Sequence, residues 1–280
     1  MLVRLPALAT GSLLAALALP IAPPEQAGAP LLSRCHYRTQ PDTIRSLPAA
    51  LTEVSGLALH RGLLLAHDDE LGRVYSIDPA TGAVGVFATL RGPVQDDFEG
   101  IAVLRDTVWL MTSRGLLYGL KATPSTTPVA FVRRSTGLGK QCELEGLAAD
   151  EAGGVLLLPC KLSSKNASEV VVYRWDVARG AVATPASMRI SPANLKRAGA
   201  PRLRPSAIEV VPGTGRLLVL SSSPPALLEF DGTGAPLGYA RLASRHAQPE
   251  GLAIAANGDL FISDEGGHGK GTLSVYRCRP

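Results

Sequence analysis

Glu99-Gly100-Ile101-Ala102, Glu145-Gly146-Leu147-Ala148 and Glu250-Gly251-Leu252-Ala253 are one phrase written three times, and it returns in altered form as Ser55-Gly56-Leu57-Ala58 and Ser206-Ala207-Ile208-Glu209. Counted from the second residue of each copy, the intervals are 44, 46, 61 and 44 residues. A period of that size matches one four-stranded blade of a β-propeller. The long third interval is accounted for by a polar insertion at 163–169 and by a Pro- and Arg-bearing connection at 191–205 with room for a short helix. Within each period an apolar run follows the phrase, then a tight turn, a second apolar run, a polar loop and a third run.

The first period predicts strands at 55–59, 63–68, 73–78 and 84–89, the last after the turn Pro79-Ala80-Thr81-Gly82. The second predicts 100–104, 107–112, 116–121 and 128–133, and the fourth 207–211, 216–221, 226–231 and 237–243. Inner hairpins close at Pro212-Gly213-Thr214-Gly215 and Asn257-Gly258. The last repeat runs out after three strands, while 42–48 precedes the first phrase as fourth strands precede the others, so the N-terminal strand is expected to close the ring. The fold expected is all-β, a propeller of five four-stranded blades. Six is the alternative, although 61 residues is short of two such periods.

Composition agrees. With 46% hydrophobic and 19% charged residues the 280-residue chain builds a core, and 29 Gly with 22 Pro leave few windows for long helices. The formal charge of +4 is scattered along the chain instead of gathered in a stripe, which argues against nucleic acid as a partner. The chain is expected to act as a monomer.

Residues 1–4 supply a positive start and 5–22 are apolar or small, ended by Pro23 and Pro24. This reads as a signal peptide or an N-terminal membrane anchor over 1–30, followed by a single propeller domain over 31–280. The expected location is periplasmic or secreted, the anchored form in the inner membrane being the alternative. Arg34 before Cys35 is unlike a lipoprotein box. An exported chain with Cys35, Cys142, Cys160 and Cys278 is expected to hold two disulfides. Blade topology selects Cys35 with Cys278, at the ring closure, and Cys142 with Cys160, across a hairpin of blade three.

The stretches Arg204-Pro205-Ser206-Ala207-Ile208-Glu209, 217–222, Gln248-Pro249-Glu250-Gly251-Leu252 and Ile262-Ser263-Asp264-Glu265-Gly266-Gly267 are similar to the most recognisable parts of the bacterial SdiA-regulated family. The similarity spans about 53–276. It implies an exported or membrane-anchored propeller-like protein and says more about fold than about a reaction. The chain departs from that pattern at Thr112-Ser113-Arg114 and Cys160-Lys161, which lack the acidic residues that family members often have after the second strands of blades two and three.

In a propeller the first strand of each blade starts, and the second ends, at one mouth of the central channel. Starts contribute Ser55, Glu99, Glu145, Ser206 and Glu250, and returns contribute Asp68, Asp69, Arg114, Lys161, Ser222, Asp264 and Glu265. Glu99, Glu145 and Glu250, supplemented by Asp69 and Asp264, are the expected metal ligands, an oxygen set suited to calcium. Arg114 and Lys161 are the competing source of positive charge, in which case the carboxylates form a salt-bridge ring. The glycine after each glutamate lets inner strands approach closely. His67, beside Asp68 and Asp69, also belongs to the expected mouth.

Other motifs carry less. The serines at 221–223 lack a Gly-x-Ser-x-Gly elbow, and Gly266-Gly267-His268-Gly269-Lys270-Gly271 lacks the Ser or Thr that follows Gly-Lys in a phosphate loop, leaving a mobile mouth loop as its reading. The basic residues Lys196, Arg197, Arg202 and Arg204 read as a solvated loop, and Asn166-Ala167-Ser168 as a silent sequon. Two functions remain: an envelope propeller that binds a small-molecule or envelope ligand at its channel mouth, with or without calcium, and a calcium-dependent hydrolase of lactone or phosphate esters. The first is preferred, because Arg114 and Lys161 stand where further ligands of a catalytic ion are expected.

Overall fold

The inner strands are rich in apolar residues because both of their faces are covered. In the computed structural model, which describes residues 28–161, 169–201 and 203–280, five four-stranded antiparallel sheets are arranged as the blades of a propeller. Blade one is β2 (Val54–His60), β3 (Leu63–Asp68), β4 (Arg73–Ile77) and β5 (Val84–Thr89); blade two is β6 (Phe98–Leu104), β7 (Thr107–Thr112), β8 (Leu116–Lys121) and β9 (Phe131–Ser135). Blade three is β10 (Ala148–Asp150), β11 (Val155–Pro159), β12 (Val170–Asp176) and β13 (Ala181–Ile190). Blade four is β14 (Pro205–Val210), β15 (Leu217–Ser222), β16 (Pro225–Phe230) and β17 (Pro236–Arg241). Blade five combines β18 (Pro249–Ile254), β19 (Leu260–Asp264) and β20 (Thr272–Tyr276) with β1 (Thr43–Ser46) as its outer strand.

The five-blade expectation and the closing N-terminal strand therefore hold: β1 pairs antiparallel with β20, Thr43 opposite Val275 and Ser46 opposite Thr272. The helix foreseen in the long interval is α2 (Pro192–Arg197), capped by the Ser191 hydroxyl accepting the Asn194 N–H at 3.2 Å. Two expectations shift. The outer strand of blade two begins at Phe131, not Pro128, because Val129 first bridges Leu90 at the edge of blade one and donates its N–H to Thr89. In blade three the inner strand starts only at Ala148, since Gly146 takes a left-handed φ of 81° and the preceding segment keeps just an isolated bridge, Leu144 to Cys160.

Alternation along the inner strands explains the packing. On β3, Leu64 faces blade five, with Phe261 and Val275, whereas Leu65 faces blade two, with Val108 and Leu110. Leu156 and Leu157 on β11, and Leu218 and Val219 on β15, divide in the same way between neighbouring blades. Five separate apolar clusters result, one in each seam between blades. Residues two apart on a strand share a face, so a strand buried on both sides has no polar alternation to display.

Two disulfides form, Cys35–Cys278 and Cys142–Cys160, with Cα atoms 4.6 and 5.8 Å apart, which are the expected pairings and suit an oxidising compartment. The first staples the short helix α1 (Leu31–Arg34) to the C-terminal end of the ring. Blade four holds α1 from below: the fully buried Glu229 accepts the N–H groups of Leu31 and Leu32, both at 2.9 Å, with the buried Arg216 guanidinium 3.8 Å away. Arg216 in turn donates to the Gly28 carbonyl at 2.8 Å. Residues 1–27, residues 162–168 with the sequon, and Arg202 lie outside the described residues. No helix among the described residues is long and apolar enough to cross a membrane.

Candidate functional site at the channel mouth

A repeated local irregularity places the site. The register between first and second strands shifts between Val54 and Gly56, Phe98 and Gly100, Pro205 and Ala207, and Pro249 and Gly251. The residue left out of the pairing each time is Ser55, Glu99, Ser206 or Glu250. A bulge re-aims the side chain of its extra residue, so four blades use the same device to turn one polar side chain toward the axis. Blade three reaches the same end through the left-handed Gly146 that follows Glu145. Just inside, the strands crowd: a Cβ on Gly100 would stand 2.7 Å from the Leu147 nitrogen, and one on Gly146 2.8 Å from the Ala207 Cα. Here the channel narrows to a void of about 10 Å³.

Outside that constriction the acidic residues meet. Burial pushes Glu99 up to about 9, with Glu145 and Asp97 adding to the effect and Lys161 opposing it. Burial likewise lifts Glu250 to about 8, with Glu145 and Glu265 contributing. Glu145 is raised by burial against the pull of Lys161, whose ammonium donates to its Oε1 and also lies 3.5 Å from Glu143. Burial works to lower Lys161, but its pairing with Glu145 wins and holds it protonated. Glu265 accepts from Ser55 at 3.1 Å and from Gln248 at 3.3 Å, and Asp69 is raised to about 6 by burial and by Glu53 and Glu265. Ser206 donates to the Pro249 carbonyl at 2.6 Å.

The other expected mouth residues are engaged elsewhere. Arg114 is three-quarters exposed and pairs with Asp96 at 3.2 Å, so among the described residues Lys161 is the cation acting on the glutamates. Asp264 turns into the seam between blades four and five, where its Oδ2 meets His246 Nδ1 at 2.8 Å while His246 Nε2 meets the Tyr276 hydroxyl at 2.7 Å. Asp68 caps its turn by accepting the N–H groups of Glu70 and Leu71. His67 is fully buried, bonded through Nδ1 to the Asp68 carbonyl, and burial lowers its pKa. Ser222 pairs with Pro225 at the start of the outer hairpin. The glycine loop at 266–271 is tied down, Gly266 donating to the Thr52 carbonyl and Gly271 accepting from Leu47. Among the described residues no group of three or more His, Cys, Asp or Glu side chains is gathered to hold a metal ion as they stand.

Sequence reading passed over Glu143 and Asp97. Glu143 lies two residues before Glu145, the spacing that puts two side chains on one side of an extended chain. Asp97 immediately precedes the bulged strand and accepts from the Ser113 hydroxyl.

The raised carboxyls set a pH dependence. Between the ordinary carboxylate range and pH 8 to 9, the folded state keeps protons on Glu99 and Glu250 that the unfolded chain has released, so stability falls as pH rises through that window. In metal-free buffer the midpoint of thermal unfolding is expected to decline from pH 5 to pH 9; Glu99→Gln should make the decline shallower, and Glu99→Gln/Glu250→Gln shallower still. A slope unchanged in the double variant would place the titrating groups elsewhere.

Fold and channel together define a five-bladed propeller whose ring encloses an acidic mouth. Solved structures similar to it include the glutaminyl cyclase of Myxococcus xanthus (TM-score 0.54, 14% identity, covering 84% of this chain and 95% of that one). A luciferin-regenerating enzyme (TM-score 0.51, 12% identity, 84% and 94%) and a protein of unknown function from Bacteroides thetaiotaomicron (TM-score 0.51, 14% identity, 80% and 56%) are also similar. At these identities the likeness is one of fold. No family model matches the chain, and no curated protein matches it by sequence.

Proposed function

We propose that the protein is an exported ligand-binding propeller whose acidic mouth takes up a calcium ion and through it an anionic small molecule or envelope component. The observation that carries this is the charge imbalance: Glu99, Glu145, Glu250 and Glu265 share one lysine, Asp69 lies beside Glu265 with no cation of its own among the described residues, and three of these five carboxyls are pushed to about 6, 8 and 9. Carboxyls held protonated by burial and mutual repulsion can exchange those protons for a cation, and an all-oxygen set suits calcium. Lys161 already lies within reach of Glu143, so its ammonium can move to that partner and free Glu145. The disulfides and the apolar stretch at 5–22 support export, and the similarity to the SdiA-regulated family points the same way.

A second reading, hydrolysis of lactone or phosphate esters, is favoured by one detail: a carboxylic acid that stays protonated at neutral pH, Glu99, beside a lysine is a candidate proton donor. An ester and lactone panel tests it, and turnover lost in Glu99→Gln would support it.

The calcium reading makes a direct thermal prediction. At an ion concentration of about 100 times Kd, binding adds about 2.7 kcal/mol, which for a chain of this size raises the unfolding midpoint by roughly 5 to 10 °C. Chelation should remove the gain, and Glu145→Gln should abolish it. If the midpoint ignores both calcium and chelator while Glu145→Gln still destabilises, the carboxylates are a structural ring around Lys161.

A further inference from the structure

The constriction that closes the acidic mouth leaves a second, separate chamber at the opposite end of the channel. It has a volume of about 540 Å³ and is lined from four blades, by Ala58 and Leu59 on β2, Ala102 and Val103 on β6, Ala149 on β10 and Val210 on β14, with the 212–215 hairpin at its rim. That volume is within the range of small-molecule sites. Three carboxylates also face it and no Lys, Arg or His does. Two of the three are satisfied by the protein: Asp150 accepts the Gly153 N–H at 3.0 Å and stands 3.7 Å from Arg174, and Glu151 accepts the Arg105 N–H at 2.8 Å. The third, Glu209 on β14, has no hydrogen bond or ion pair from its side chain among the described residues. Burial pushes it up to about 8, while the residue keeps part of its surface open to the chamber. A carboxyl without a protein partner against an alanine, leucine and valine wall leaves its charge to be compensated by whatever fills the chamber.

We infer that this chamber is a binding site for a small organic cation, an ammonium group carried on an apolar body, with Glu209 as its counter-ion. The apolar wall removes methylene or methyl groups from water while the carboxylate supplies the single opposite charge, and the absence of any cation in the lining leaves that position to the ligand. An anion would meet three carboxylates, and a metal ion would find one free carboxylate in an apolar wall.

The test uses the purified protein at pH 9, where Glu209 is ionised, with choline and tetraethylammonium titrated calorimetrically and the uncharged dimethylbutanol isostere of choline as the control. Saturable binding of both cations is expected, weaker by about tenfold or more in Glu209→Gln, since a partly desolvated charge pair has lost one member. Ala149→Leu, which fills the chamber without changing charge, should remove binding as well. Glu145→Gln at the other mouth should leave it intact, so failure of this site and failure of the acidic-mouth reading are told apart. The inference is overturned if neither cation saturates, if the uncharged isostere binds as well as choline, or if Glu209→Gln binds like the parent.

Discussion

The double variant Cys35→Ser/Cys278→Ser is expected to lose about 5 kcal/mol of stability by chain-entropy reckoning, the largest effect of any substitution considered. The bridge joins residues 243 apart, so it restrains nearly the whole unfolded chain. It also lies where the ring is closed by strands distant in sequence: β1 and β20 come from opposite ends of the chain and pair over four residues. Around the bridge, Tyr37 donates to the Gly258 carbonyl at 2.6 Å, His36 to the Arg279 carbonyl at 3.0 Å, and Arg279 pairs with Asp42, whose carboxyl is lowered by that contact. These polar contacts hold the closure in place but do not replace a covalent bond. The other bridge, Cys142–Cys160, spans 18 residues inside one blade and is worth about 3 kcal/mol on the same reckoning. Denaturant melts of the two double variants under non-reducing conditions decide the matter. Equal losses would mean that β1 pairing alone closes the ring.

The second large effect is expected at Glu229. Changing it to leucine strands Arg216, which is 6% exposed, and removes both acceptors for the start of α1. Breaking a buried pair by deleting one member typically costs about 3–5 kcal/mol, whereas replacing both with apolar residues is often close to neutral. Glu229→Leu should therefore lose several kcal/mol, and Glu229→Leu/Arg216→Leu should regain much of that loss. Hydrogen exchange at the Leu31 and Leu32 amides should quicken in the single variant. A single variant within 1 kcal/mol of the parent would show that α1 is held by the disulfide and by its apolar packing, not by Glu229.

How much of this was legible in the chain follows from what repeats. The blade count, most strand limits and both disulfide pairings were readable because a phrase recurring every 44 to 46 residues forces one topology, and that topology brings the cysteines together. The start of β9 was misplaced because Val129 answers to blade one, a neighbour that no local pattern shows. Glu99, Glu145 and Glu250 were found by their common slot, and the bulges explain why that slot faces the channel. Asp264 stands next to Glu265 in the sequence, yet alternation along the extended chain sends it into a seam, where His246 waits from a connecting loop. Glu209 and Glu229 were unreadable for a related reason. Each is a lone acid within an apolar run, and only the completed ring reveals whether protein or empty space lies opposite.

The staple at Cys35 and Cys278 also sets a direction. Gly28 is held at Arg216, beside the 212–215 hairpin, and the disulfide packs on the Gly258 turn, so the chain joins the ring at the end of the channel that carries the Glu209 chamber. A load applied through residues upstream of Gly28 acts on that end of the ring. The molecule is therefore polarised like a cup with its stem at one end: were the chain anchored through residues upstream of Gly28, the Glu209 chamber would face the anchor and the glutamate-lined mouth would be presented away from it.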